Sequence, residues 1–216
     1  TLTVDKDFDP SVFAGASCAF GVFDGVHRGH RFLIEKAIES ARSCGGPSIA
    51  LTFDIDPDEI FHPNRLKKLM TNEDRLSSLA HLGVDHVIAF HFTREFASED
   101  PLSFLQKAFS GNAPAFLHIG DGFRFGSRDS GTVSDLRSWG QTTGTTIHAH
   151  KLLAEDGLPI SATRIRLLLA DGKIEAAEDL LGHPYTIHQR VQHGRGEGAD
   201  MGFRTANLSI DPMMKP

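Results

Sequence analysis

Gly21-Val-Phe-Asp-Gly-Val-His-Arg-Gly-His30 decides how this chain is read. It lies between an apolar run, Ala14 to Phe20, and an amphipathic stretch, Phe32 to Ala41. That order predicts a strand feeding a Gly-rich turn that opens a helix. Such a turn presents free backbone N–H groups, and the positive end of the helix dipole, to an anion. His27 and His30 add donors that can bind phosphate oxygens and stabilise charge developing on them. Gly29, between them, lets the backbone approach a phosphate closely. One histidine among the chain's 12 would carry little weight. Two at this spacing in this setting point to a nucleotide-handling turn.

Working outward, apolar segments alternate with helical patterns in the rhythm of βαβ units. Strands are expected at Ala16 to Phe20, Ser48 to Phe53, His86 to Phe90, Ala115 to Ile119 and Thr145 to Ala149. Helices are expected at His30 to Arg42, Asn72 to Leu82 and Leu102 to Phe109, then Thr163 to Ala170 and Ile174 to Leu181. Thr71 or Asn72 can cap the second of these, with Glu73 and Asp74 in its first turn. The fold class is therefore α/β, a parallel sheet flanked by helices. Ligands in such folds sit at the carboxyl ends of the strands. Gly21 to His30 and Gly120 to Gly126 both follow strands, which places both on that edge. Past Gly182-His183-Pro184 the texture changes: Tyr185 to His193 alternates as a strand does, and a Gly-rich loop follows. A boundary near Gly182 gives domains 1–182 and 183–216, the second too short for an independent core.

Bulk properties narrow the function. The chain has 216 residues, 40% of them hydrophobic and 23% charged, the composition of an ordinary globular protein. Its net charge of −6 argues against nucleic acid or an anionic membrane as partner, leaving small molecules. Cys18 and Cys44 lack metal-like spacing and read as reduced thiols in a cytoplasmic setting. No run of 18 apolar residues is present, so no membrane span is expected. Thr1 rather than Met at the start leads us to expect that an N-terminal piece is missing.

Further constellations carry chemistry. In Ile160 to Arg166, Ser161 can cap a helix whose first turn, with Thr163, can hold phosphate oxygens, while Arg166 reaches the same anion as a charged fork. Gly120-Asp-Gly-Phe-Arg-Phe-Gly126 reads as a loop offering Phe123 and Phe125 to a flat ligand, or as aromatics plugging the core edge. Thr52 to Pro57, with Phe61 and Arg65, reads as a binding segment or a plain strand end and loop. Gly202 to Asn207 by itself reads as a loop entering a strand.

These stretches together resemble the bifunctional prokaryotic FAD synthetases, in which an FMN adenylyltransferase domain precedes a riboflavin kinase domain. The histidine turn looks like the first nucleotidyltransferase signature of that family. Thr52 to Pro57, Arg94-Glu-Phe-Ala97, Gly120 to Gly126 and Ile160 to Arg166 correspond as well. Leu181 to Tyr185 resembles the junction, and His193 to Asn207 the start of a β-barrel kinase domain. The resemblance implies a Rossmann-like nucleotidyltransferase followed by an incomplete kinase domain. It implies FMN + ATP → FAD + pyrophosphate with Mg²⁺, the metal having no direct protein ligand in the first domain. His27, His30 and Arg166 would act on the ATP phosphates. Gly21, Phe23, Gly120, Ser161 and Thr163 would frame the nucleotide. Asp56, Pro57, Phe61, Arg65, Phe123 and Phe125 would face the flavin. Thr205 and Asn207 would bind MgATP only within a complete kinase barrel.

The chain departs from the family pattern at four places. Asp56 replaces the histidine of Pro-His-Pro, Gly122 an Asp or Asn, Ala162 a serine, and Arg204 a proline. Two other readings stay open at the level of sequence. A relative using CTP or another phosphorylated acceptor shares the turn and the Ser161 to Arg166 helix. A flavin- or nucleotide-binding paralogue with weak or no turnover would keep the same frame.

Overall fold

A computed structural model describes residues 2–4, 8–192, 202–203, 207–210 and 212–214. Six parallel strands form one sheet in the order β1-β4-β3-β2-β5-β6. They are β1 (Leu2–Val4), β2 (Ser17–Phe20), β3 (Ser48–Phe53), β4 (His86–Phe90), β5 (Phe116–Gly120) and β6 (Thr146–His150). The five expected strands stand within one residue of their expected bounds. β1 is an addition that periodicity could not detect, because three residues are too few to show a pattern.

Between the strands run α1 (Arg28–Cys44), α2 (Pro57–Phe61), α3 (Asn72–Ala80), α4 (Arg94–Ala97), α5 (Pro101–Phe109) and α6 (Val133–Thr143). Strand residues alternate between two unlike faces. Ala19, Ala50 and Ala89 point one way with Val87, and α1 and α3 lay Leu33, Ile34, Ala37, Leu76 and Leu79 on them. Small residues let these helices approach the sheet closely. Phe20, Leu51, Phe53, Ile88 and Phe90 point the other way, against Phe104 and Phe109 of α5 and Leu136 and Trp139 of α6. Each large apolar side chain buried there contributes on the order of 1.5–3 kcal/mol. The chain moves outward from β2 to β4 with helices on one face, then crosses to β5 with helices on the other. β2 and β5 therefore flank the switch point, where the carboxyl ends open a crevice.

Three helices were not expected from the sequence. The segment after β3, which by sequence is a binding segment or a plain strand end and loop, is helical: Pro57 sits at the first helical position of α2, and Asp56 and Glu59 form a reciprocal cap. α4 is a single turn capped by Thr93. α6 was hidden by its β-branched residues and Gly140, although Thr132 and Asp135 make a capping box that announces it. Conversely, the strand expected from Tyr185 to His193 is confined, among described residues, to β9 (Val191–Gln192), which pairs antiparallel with β10 (Asn207–Leu208). Tyr185 instead turns back onto α8 (Ile174–Leu181), its N–H donating to Glu178 Oε1.

Beyond β6 a hairpin, β7 (Ala154–Glu155) and β8 (Leu158–Pro159), leads into α7 (Ala162–Ala170) and α8 (Ile174–Leu181). Ile165, Leu169, Leu180 and Leu181 form a third apolar cluster with Leu69. This cluster fastens α7 and α8 to the crevice. No helix among the described residues is long and apolar enough to cross a membrane.

Candidate active site

The turn after β2 is held in an uncommon backbone shape. Phe23 and Val26 have φ of 61° and 40°, in the left-handed region that costs non-glycine residues about 1–3 kcal/mol. Gly25, at φ 75°, is where any side chain would be strained, and a Cβ there would press on Leu69, 2.6 Å from its Cδ1. Tertiary bonds supply what the backbone strain costs. Both carboxylate oxygens of buried Asp24 accept from the Leu69 N–H at 3.1 Å. Arg31 Nε donates to the Val26 carbonyl, and His183 Nε2 to that of Gly25.

His27 caps α1, its Nδ1 accepting from the His30 N–H at 3.4 Å. That bond leaves the ring proton on Nε2. The two imidazoles stack at 3.5 Å between centroids, 20° from parallel, and Phe23 meets His30 edge-on. His30 Nδ1 is sealed from solvent with no partner. Burial first, then the Arg166 charge, lowers the His27 pKa to about 4. Burial, then His27 and Arg75, holds His30 well below the usual histidine range. Both rings are therefore neutral near pH 7, each carrying one N–H.

Opposite the turn, Ser161 caps α7 by accepting from the Arg164 N–H. Arg164 itself is structural, donating to the Glu155 and Leu158 carbonyls of the hairpin. Arg166 donates from Nη2 to Asp24 Oδ2 at 2.5 Å. Arg166, Thr163, Arg65, Lys67, His62 and Asp58 line a groove of about 520 Å³. A separate cavity of about 690 Å³ is walled by Phe53, Phe61, Phe92, Phe96, Phe104, Phe123 and Phe125, with Asp56, Pro57, Arg94, Arg124 and Arg128 at its edges. Asp58 and His62 line both spaces, so the two adjoin.

The structure thus sorts the expected residues. Pro57, Asp56, Phe61, Phe123 and Phe125 share the aromatic cavity, but Arg65 lines the cationic groove with Thr163 and Arg166. His27 and His30 line neither space; they sit at the start of α1, where His27 is within electrostatic reach of Arg166 and His30 of Arg75. Gly21 and Phe23 shape the turn and Gly120 ends β5. Asp56 spends its carboxylate on the Asp58 N–H, and burial raises its pKa. Phe125 serves both readings of its loop: it is buried against Phe104 and also lines the cavity. Asn207 is exposed on β10, and Thr205 lies outside the described residues.

Several residues were not foreseen. Arg75, 1% exposed, donates to the Val22 and Phe53 carbonyls, Thr52 Oγ1 and Asn72 Oδ1. Its signal was a charged residue on the apolar face of α3. Arg94, marked by sequence only as part of a family motif with no role given, donates to the Ile60 carbonyl and lies 5.9 Å over the Phe61 ring. A second histidine group lies on β5 and β6: buried His118 shares a 2.9 Å hydrogen bond with His150 and stacks on His148. Burial, then the His148 and His150 charges, takes the His118 pKa down to about 3. Unfolded, these histidines bind protons near pH 6.5, whereas folded His27 and His118 resist until about pH 4 and 3. Stability therefore falls as pH drops through that window, by up to about 1.4 kcal/mol per unit for each group. Melting temperature followed by circular dichroism should decline from pH 6.5 to 4, and His118→Gln should flatten the decline. A melting temperature constant over that range would contradict the assignment.

The FAD synthetase family profile matches residues 9–164, and the riboflavin kinase profile matches residues 181–216. The bifunctional riboflavin kinase/FMN adenylyltransferase of Escherichia coli strain K12 is 36% identical over 204 residues, which cover 94% of this chain and 65% of that protein. The Haemophilus influenzae protein of the same name is 34% identical over 207 residues, 95% of this chain and 67% of its own length. A Streptococcus pneumoniae crystal structure described as a macrolide-efflux protein superposes with a TM-score of 0.78 at 28% identity, covering 96% of this chain and 68% of that one. This chain spans about two thirds of the length of these relatives. With a switch-point crevice, a strained histidine turn and a family match across most of its residues, the chain belongs to the FAD synthetase family.

Proposed function

We propose that this chain transfers AMP from ATP to FMN, giving FAD and pyrophosphate. The observation that carries the reading is the meeting of an aromatic cavity with a cationic groove at Asp58 and His62. A planar isoalloxazine suits the phenylalanine walls, and a ribityl phosphate suits the Arg65 side of the groove. An FMN phosphate oxygen forms the new bond to the α-phosphorus of ATP, and the bond from that phosphorus to the bridging oxygen breaks. The pair of electrons leaves with pyrophosphate. The nucleophile is already an anion, so no strong base is required. Positioning contributes up to about 7–11 kcal/mol. Neutral His27 and His30 donate N–H groups to the developing charge, and Arg166 with Thr163 faces it from α7.

No cluster of three or more His, Cys, Asp or Glu among the described residues could cage a metal. A magnesium ion would arrive on the nucleotide's own phosphates. Riboflavin phosphorylation is proposed only for a longer protein carrying the rest of the kinase module. Free Cys18 and Cys44 and a net charge of −6 support a cytoplasmic enzyme of small molecules.

The test is incubation with FMN and each of the four nucleoside triphosphates, scored by chromatography for dinucleotide and pyrophosphate. FAD from ATP alone is expected; dinucleotide from CTP in preference, or none from any, would overturn the reading. In the same assay Phe61→Ala should weaken FMN binding about five- to thirty-fold through loss of its ring face, leaving ATP binding unchanged. Equal loss for both ligands would move Phe61 out of the flavin cavity.

A further inference from the structure

We propose that Asp24 is a positioning residue: its buried carboxylate aims the Arg166 guanidinium at the anion bound in the groove beside Thr163. The inference rests on the adenylyl-transfer reading for its effect on turnover, but its geometry is independent of it. Asp24 comes from the turn after β2 and Arg166 from α7, 142 residues later. Their side chains are 6% and 25% exposed, so the pair sits largely out of water. The carboxylate cannot follow the arginine, because both its oxygens are fixed on the Leu69 N–H. Among the described residues Asp24 is the one hydrogen-bond acceptor of Arg166, whose Nε is sealed without a partner. The planar fork is thus held at one edge by Nη2, and its Nη1 N–H groups are left for an incoming ligand.

A carboxylate is an odd neighbour for a triphosphate, since like charge opposes binding. Its presence is explained if orientation of the fork, rather than attraction, is what the reaction needs. This gives a signature that a merely structural role lacks. Removing the charge should leave anion affinity unchanged or tighter while turnover falls.

The test compares wild type with Asp24→Asn, which keeps the side-chain shape and an acceptor for Leu69. Affinity for inorganic tripolyphosphate is measured by calorimetry, and kcat and KM for FAD formation by chromatography. We expect a fall in kcat of at least tenfold, with a tripolyphosphate Kd within twofold of wild type or tighter. In the Arg166→Gln background, adding Asp24→Asn should cost nothing further, because the two act as one unit. Parallel loss of tripolyphosphate affinity and kcat, or multiplying losses in the double variant, would overturn the proposal. Should Asp24→Asn not fold, Asp24→Glu serves: it keeps the charge but displaces the fork, and turnover should fall while affinity holds. A wild type that binds tripolyphosphate but makes no FAD would refute adenylyl transfer alone. Positioning is then still judged on the binding arm, where weaker tripolyphosphate binding by Asp24→Asn refutes it. A wild type that binds no tripolyphosphate would refute the anion groove itself.

Discussion

Replacing His30 by alanine should lower the turnover of FAD formation by about 10²–10³, the effect of deleting one preorganised donor to developing charge. KM for FMN should stay within about twofold, because His30 is not among the residues of the aromatic cavity. The physical grounds are the stacked pair and its protonation. His27 and His30 lie 3.5 Å apart, and each is kept neutral by burial and by nearby charge. A cationic pair at that distance would repel itself, whereas a neutral pair can donate to an oxyanion without giving up its protons. His30 Nδ1 is sealed and unpaired, which costs stability. The variant should therefore fold at least as well as wild type while catalysing far less. Steady-state kinetics decides the matter: an unchanged kcat removes the assigned role.

Arg75→Leu carries the largest expected cost to the fold. The guanidinium reaches the Val22 and Phe53 carbonyls and Thr52 Oγ1 at 2.6–2.8 Å, joining the carboxyl ends of β2 and β3 to α3. Burial lowers its pKa, and the charges of Asp56, Asp24, Glu59 and Asp54 act against that. Leucine would strand those acceptors and leave the acids uncompensated, at about 3–5 kcal/mol. For a domain of this size that is a melting-temperature drop of roughly 10 °C. Lysine should recover little, because one ammonium cannot span acceptors on two strands as the fork does. Urea denaturation of the three proteins measures this, and an Arg75→Leu variant as stable as wild type would show that the network contributes nothing net.

How far the sequence reached is clearest at the turn. Strand, glycine and capped helix are local features, and each was legible where its own residues determine it: β2 and β3 from runs of apolar residues, α3 from Thr71 and the acids behind it, α7 from Ser161. α6 was missed because Gly140 and the threonines are poor helix formers, and packing of Leu136 and Trp139 outweighs them. β1 exists only because β4 offers an edge to pair with. The aromatic residues after β5 could be read as ligand wall or core plug, and Phe125 turned out to be both.

By itself the sequence determined the parallel α/β frame and the glycine-rich turn that opens α1, since both follow from side-chain period and from the backbone needs of glycine and caps. Tertiary structure alone decided which distant charges meet. Asp24 with Arg166, Arg75 with two strand ends, and Arg65 on the groove rather than among the phenylalanines are juxtapositions between elements far apart in the chain. A periodic pattern reports which face of an element is buried; it carries no information on which buried or half-buried charge waits on the element packed against it.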